Sequence, residues 1–447
     1  MSHVDPPSAA LERAQALLDA RIDWERRDRG SMRVDVGPSL DLCARLGEPQ
    51  RSFRTVHVGG TKGKGSVGAL VAAGLEAHGW RVGLYSSPHV ERVTERVRIQ
   101  GAPVADDLLA AGIDAALAAR EEAERAGTPA ATASWFDLFT AGAFHALRAA
   151  EVDWAVVEVG LGGRLDSTNV LDAALAVITN IDLEHTAVLG STRAAIAGEK
   201  AGILRPGLPF VCGVPVVAGS GGANGPDEAG RVLVERARAL GCPTVVVEPA
   251  SSIEATNLAL ARAALESLAA HGATAPDGGP LEPGRLTRER GRRAQLPGRL
   301  ERREGPAGVP VVLDGAHVGS SVDRVLSDLE GQEGLVGPPQ VVLAAARDKD
   351  HGSILKALLG RVDRVHSTTV PSGIHLEAAA LARMAAEAGL EVEEPCEARD
   401  ALRRACARAA ASGGWVLGIG SLYLAGALRG DTGPPADPDR ASAPCSP

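Results

Sequence analysis

Residues 57–67 read HVGGTKGKGSV. The preceding RTVHV has the composition of a strand, GGTKGKG that of a turn, and SVGALVAAGLEAHG that of a helix ending near Gly79. Strand, glycine-rich loop and helix in that order form a phosphate-binding context: backbone N–H groups and a helix N-terminus face an anion, and a lysine reaches its outer oxygens. The common form of such a loop ends Gly-Lys-Ser/Thr, whereas here Gly65 separates Lys64 from Ser66 and a second lysine, Lys62, sits inside the loop. Two readings stand open, a nucleotide site of a different kind or a plain strand-to-helix turn, and four glycines interleaved with lysines favour the first. Ser66, close to the expected helix start, is a candidate helix cap or Mg²⁺ ligand.

Outward from the loop, short apolar runs alternate with longer Ala/Leu-rich segments. Strands are expected at 55–58, 82–85, 155–159, 175–179, 210–214 and 244–247, with helices between most of them. That alternation predicts a mostly parallel sheet covered by helices on both faces. The same rhythm restarts at 311–313, 341–345, 365–368 and 416–419. The expected fold is therefore α/β: an N-terminal P-loop ATPase domain with a mostly parallel sheet, plus a smaller C-terminal Rossmann-like domain. Pro, Gly and Arg replace the periodic pattern near 285–297, which gives expected domains of 1–294 and 295–430 and a disordered tail over 431–447. The Gly-rich stretch 217–230 reads as a surface loop.

Composition narrows the function. Of the 447 residues, 45% are hydrophobic and 23% charged, as in ordinary globular proteins, and aromatics are only 3%, so cores built from Val, Leu, Ile and Ala are expected. A net charge of -9 disfavours general nucleic-acid binding; the basic run 285–303 reads as a solvated linker or surface face. The six cysteines are scattered without a C-x-x-C pair, which points to neither zinc nor disulfides and fits a reducing cytoplasm. The N-terminus lacks the apolar core of a signal peptide, and no apolar run reaches the ~18 residues of a membrane span.

Further motifs place chemistry at strand ends. AVVEVGLGGRLDSTNV delivers Glu158 at the end of an apolar strand, followed by a glycine turn with Arg164, Asp166 and Asn169. In open α/β sheets ligands bind beyond the carboxyl ends of strands, where a carboxylate is placed to hold a metal on bound phosphate. VITNIDLEHTAVLGSTRAAIAGEKAGIL presents Asp182, Glu184 and His185 on a loop, then Glu199 and Lys200 on a helix starting near Ser191. In the second domain Asp314 and His317, the run Arg347–Asp350, and Ser421 each follow a strand, which suggests a cleft lined by polar strand tips.

Taken in order, HVGGTKGKGSV, YSSPHVERVTERVRIQG, VVEVGLGGRLDSTNV, TNIDLEHTAVLGSTRAAIAGEKAGIL, PGRLE and VVLDGAH resemble the motifs of folylpolyglutamate synthase/dihydrofolate synthase, a branch of the Mur ligase superfamily, over roughly residues 55–421. That family's loop reads Gly-Thr-Asn-Gly-Lys-Gly-Ser, so the additional glycine is the family's own. The resemblance implies an ATP-dependent amide ligase that phosphorylates a folate-type carboxylate and joins it to L-glutamate. It implies ATP as co-substrate, held by Gly60, Thr61, Gly63, Lys64, Gly65, Ser66, Asn257, Arg299 and Asp314. It implies Mg²⁺ on Ser87, with neighbouring Ser86 as the alternative, and on Glu158 and His185, and it implies Lys200 at the position that the family carbamylates. Phe136 and Asp166 match positions that hold the pterin-bearing substrate, dihydropteroate or a reduced folate, and His317 and Ser421 would lie near the incoming glutamate. A cytoplasmic monomer acting on small molecules, with neither nucleic acid nor membrane as partner, is the corresponding expectation.

The chain departs from the family pattern in three places. Lys62 replaces the usual loop Asn, Glu184 stands where Asp is usual before the metal-ligand His, and Val318-Gly319 replaces Asn-Pro. A cell-wall member of the superfamily is disfavoured by the folate-type segments GLGGRLDSTN and SSPHVERVTERVRI and by the ~50 residues that precede the loop. A regulatory nucleotide-binding protein is disfavoured by the intact Glu158, His185 and Lys200.

Overall fold

The computed structural model describes residues 6–22, 35–216, 228–370 and 375–434. They divide into a larger unit, 6–89 with 93–294, and a smaller one, 90–92 with 295–434; each is described by itself.

The larger unit is built on β1 (Arg54–Gly59), β2 (Val82–Tyr85), β3 (Val97–Ile99), β4 (Ala102–Pro103), β5 (Trp154–Glu158), β6 (Leu175–Ile178), β7 (Phe210–Cys212) and β8 (Thr244–Val246). Their order across the sheet is β4-β3-β2-β5-β1-β6-β7-β8. The pairs from β2 to β8 are parallel, and β3 and β4 add an antiparallel edge. Central β1 is buried along almost its whole length and β5 along all of it, because helices cover both faces. On one face helix Lys64–Glu76 lies against helix Ile253–Ala270, so close that a Cβ on Gly74 would sit 2.4 Å from Leu265 Cδ1. On the other, helices Asp106–Ala126 and Trp135–Ala149 meet backbone to backbone at Gly112 and Gly142. The scarce aromatics are concentrated there: Phe53, Tyr85, Trp135, Phe139 and Phe144 share one core, with Trp135 stacked on Phe139 at 4.9 Å.

The smaller unit carries β9 (Glu301–Glu304), β10 (Pro310–Leu313), β11 (Gln340–Leu343), β12 (Arg364–Ser367) and β13 (Val416–Ile419) in the order β12-β11-β13-β10-β9. All neighbours are parallel except β9 with β10.

Four local expectations are corrected. Strands β3, β4 and β9 were not among those expected: β3 and β4 are only three and two residues long, and β9 reads ERRE and holds its place by pairing with β10. Arg303, in the basic run read as solvated, is buried and donates to buried Glu301 at 2.7 Å. Residues 228–230, read as loop, begin the helix Glu228–Ala239, where Ala229 packs in the core; the rest of that stretch, 217–227, lies outside the described residues. The tail over 435–447 lies outside them too, whereas Asp431 pairs with Arg399 at 2.7 Å and Thr432 is buried.

Candidate active site

The strand register brings the pieces together. Val58 pairs with Glu158 and Gly59 with Ile178, so the loop leaving β1 is flanked by the ends of β5 and β6. Gly60 (φ 140°) approaches β6 so closely that a Cβ would lie 2.0 Å from Thr179 Oγ1, and Gly63 (φ 78°) caps the helix Lys64–Glu76. Three hydrogen bonds stitch the loop to the end of β6: Thr61 N–H to Asn180 O (3.0 Å), Lys62 N–H to Asn180 Oδ1 (2.8 Å) and Thr179 Oγ1–H to Lys62 O (2.6 Å). The helix starts at Lys64, so Ser66 belongs to its first turn and does not cap it; Gly63 fills the cap position without a side-chain bond. Asn257 Oδ1 lies 3.1 Å from the place a Gly63 Cβ would take, which puts that side chain at the loop.

Charge at this helix end is unusual. A helix N-terminus repels cations, yet three lysines gather here. Lys62 Nζ pairs with Glu184 at 2.8 Å, Lys64 Nζ stands 3.7 Å from Glu158 Oε1, and Lys200 Nζ donates to Gly60 O at 2.8 Å. Lys200 is buried, and burial first, then neighbouring Lys64, lowers its amine to about 7. A partly open recess is lined by Gly60, Thr61, Lys64, Glu184, His185 and Lys200, among others. His185 takes the left-handed conformation (φ 54°), which costs a side-chain-bearing residue about 1 kcal/mol. Glu158 is buried and accepts from the backbone N–H of Ser87 at 3.1 Å.

Beside the recess, the Phe136 ring packs on Gly160, where a Cβ would lie 2.4 Å from its edge and 3.2 Å from Asp166 Oδ2. Asp166 is wholly buried and occupied with its own surroundings: it accepts from Leu161 N–H (2.8 Å), Thr168 N–H (2.9 Å) and the Thr168 hydroxyl. Burial pushes its carboxyl up while these donors pull it back. Because Thr168 gives its one hydroxyl proton to Asp166, it accepts from His57 Nε2–H (2.9 Å); burial lowers the His57 imidazole to about 3 and keeps it neutral. This His57–Thr168–Asp166 chain beneath the 160–162 turn was missed in the sequence, although a histidine inside a central apolar strand was a signal for it.

In the smaller unit, Asp314 accepts from Leu300 N–H (2.8 Å) and Ala316 N–H (2.7 Å), and His317 Nδ1 lies 2.8 Å from Gly315 O. The Arg299 guanidinium lies 2.9 Å from where a Gly315 Cβ would be. Ser421 caps helix Leu422–Arg429 and lies 2.8 Å from Nε2 of His375, whose imidazole burial lowers to about 4. His375 had no sequence signal. Arg299, Asp314, His317 and Ser421 thus share the strand-end side of one sheet.

Comparisons with known proteins bear on this geometry. Residues 298–422 match the family model described as Mur ligase, glutamate ligase domain. The chain is 46% identical over 162 residues to dihydrofolate synthase/folylpolyglutamate synthase of Haemophilus influenzae, a match that spans 36% of this chain and 35% of that protein. It is 34% identical over 414 residues to the protein of that name from Mycobacterium tuberculosis, covering 84% of this chain and 81% of the relative. The chain belongs to the folylpolyglutamate synthase/dihydrofolate synthase family. Its fold is similar to that of the bifunctional folylpolyglutamate synthase/dihydrofolate synthase of Yersinia pestis complexed with AMPPNP and Mn ion, with a TM-score of 0.75 and 26% identity over 95% of this chain and 99% of that one.

For a member of this ligase family, the metal donors merit a direct test. Among the described residues no three His, Cys, Asp or Glu side chains converge into a metal cluster. Glu158 Oε1 stands 3.7 Å from Lys64 Nζ, longer than a hydrogen bond. A buried carboxylate, a neighbouring serine and an imidazole fit a hard divalent cation, which keeps waters and takes phosphate oxygens rather than needing an all-protein cage. Cysteine chemistry is not implied: Cys43 and Cys406 are buried thiols pushed up to about 12 by that burial.

Proposed function

We propose that this chain is an ATP-dependent amide ligase that adds L-glutamate to a folate-type carboxylate, of dihydropteroate, of a reduced folate, or of both. The observation that carries the reading is the placement of Lys64 and Lys200 in one recess at a helix N-terminus, beside the glycine loop of Gly60 and Gly63, an arrangement that calls for a polyanion. The curated relatives' names and the Yersinia pestis complex support the substrate class and the nucleotide.

A carboxylate is a poor acyl donor. Its oxygen attacks the γ-phosphorus of ATP, the bond to the bridging oxygen breaks, and ADP leaves. The α-amine of glutamate then attacks the acyl carbon, the acyl C–O bond to phosphate breaks, and the amine proton passes to solvent. The amides of Gly63 at the cap and of Lys64 to Ser66 in the first turn, with Gly60, cradle the phosphates, Thr61 holds this loop in place through its N–H bond to Asn180 O, and Lys64 contacts the β/γ oxygens. Asn257, Arg299 and Asp314 hold the rest of the nucleotide. Ser87, Glu158 and His185 would hold Mg²⁺, which when bound neutralises phosphate charge. Phe136 offers a flat face to the pterin, and Asp166 shapes the 160–162 turn beside it. His317 and Ser421 meet glutamate. Lys200, neutral in part near pH 7, would add CO₂ through its lone pair and lose a proton, becoming an anionic carbamate.

The described cysteines are free, which fits a reducing cytoplasm, and no described helix is long and apolar enough to cross a membrane. One chain is taken as the working unit, to be checked by sedimentation.

Phosphate release from ATP, measured with dihydropteroate, tetrahydrofolate or a muramoyl peptide, each with glutamate, tests the reading. Release is expected only when a folate-type acceptor and glutamate are both present. Release without acceptor, or with the muramoyl peptide alone, would sink it.

A further inference from the structure

We propose that Lys62 and Glu184 act as one positioning pair, in which Lys62 secures the His185 loop to the phosphate loop rather than binding phosphate itself. The inference rests on the ligase reading above and deepens it.

The two residues lie 122 positions apart, and Lys62 Nζ donates to Glu184 Oε1 at 2.8 Å. Their side chains are 28% and 11% exposed, so the pair is largely withdrawn from water and differs from the solvated surface pairs that contribute little. The backbone of residue 62 is fixed independently, through Asn180 Oδ1 and Thr179 Oγ1. Asp182 N–H donates to Thr61 Oγ1 at 3.0 Å. Stitching of the two loops thus runs from Thr179 to Asp182, and the ion pair extends it to Glu184, next to His185. That extension falls where it is needed, because His185 holds a left-handed backbone that persists only when its surroundings enforce it. An Asn at position 62 would be too short to make this reach, and the longer Glu at position 184 shortens the gap from the other side.

Loss of either partner has an asymmetric cost. Without Glu184, Lys62 loses the carboxylate that it meets at 2.8 Å; without Lys62, Glu184 loses that cation on a side chain only 11% exposed and facing the recess. Removing both relieves each penalty, so the effects should be strongly non-additive.

The test compares Lys62→Met, Glu184→Gln, their combination, and the charge-reversed Lys62→Glu/Glu184→Lys. Three quantities are read: kcat with a folate acceptor, Kd for ADP, and the imidazole resonances of His185. Each single variant should lower kcat about tenfold and shift the His185 resonances, with the double variant no worse than the poorer single. Kd for ADP should change by less than about threefold, and charge reversal should move the His185 resonances back toward wild type. A tenfold loss of ADP affinity in Lys62→Met with Glu184→Gln silent would show that Lys62 binds phosphate and overturn the proposal. Effects on kcat that multiply, or His185 resonances unmoved in every variant, would overturn it as well. Should the wild type turn over no folate acceptor, the ligase reading fails, while the His185 coupling still decides the pair.

Discussion

Lys64 and Lys200 sit at the same helix end, yet their surroundings give them different work. Lys64 is partly exposed, at 15% of its side chain, and its one described ion pair is loose. Lys64→Ala is therefore expected to leave the circular dichroism spectrum unchanged and to cut kcat by about 10²–10³, the range for losing one preorganised charge-stabilising group. Lys200 is buried, with its amine lowered from 10.5 to about 7. The neutral amine that adds CO₂ is well populated above about pH 7 and disappears below it. In ¹³C-bicarbonate, a carbamate resonance should be present near pH 8, fade as pH falls through 7, and be missing in Lys200→Ala. A wild-type spectrum without that resonance at any pH would remove the carbamate. The placing of Lys64 and Lys200 beside the glycine loop was legible in the sequence because each lies inside a recognisable stretch. The pairing of Lys62 with Glu184 was not, since the two are distant in sequence and the register of β1 against β6 brings them together.

Among the elements, legibility followed burial. The central strands announced themselves by apolar runs, and their ends were placed within a residue or two. Strand β9 is an edge strand of charged residues whose identity comes from pairing with β10, which no local pattern reveals. The loop after β1 was legible as a phosphate loop, but the start of its helix at Lys64, ahead of Ser66, depends on the positive φ of Gly63. Gly60 is the tightest point: its φ of 140° is unfavourable for any side chain, and a Cβ would overlap Thr179 Oγ1. Gly60→Ala should push the loop away from β6, raising Kd for ADP at least about tenfold while the melting temperature falls by a few degrees. An alanine variant that binds ADP like wild type would mean that the loop does not hold phosphate in this conformation.

At the scale of the whole molecule, family, fold and two-unit layout agree, and buried polar groups tie stability to function. His57 lies beneath the 160–162 turn and is lowered from 6.5 to about 3 because burial disfavours its charged form. The unfolded chain therefore binds a proton that the folded one refuses between those values, so stability supplied by neutral His57 is complete above about pH 6.5 and is lost as pH falls toward 3. Urea midpoints should decline over that window more steeply in wild type than in His57→Gln; equal slopes would place the acid sensitivity elsewhere. The proposed activity stands on acyl activation by ATP. The most direct check supplies a folate-type acceptor whose reacting carboxylate carries a heavy-oxygen label, with ATP and L-glutamate, and weighs the products. One labelled oxygen should appear in the released phosphate, together with an acceptor longer by one glutamyl residue. Unlabelled phosphate, or phosphate released without any glutamyl product, would contradict it.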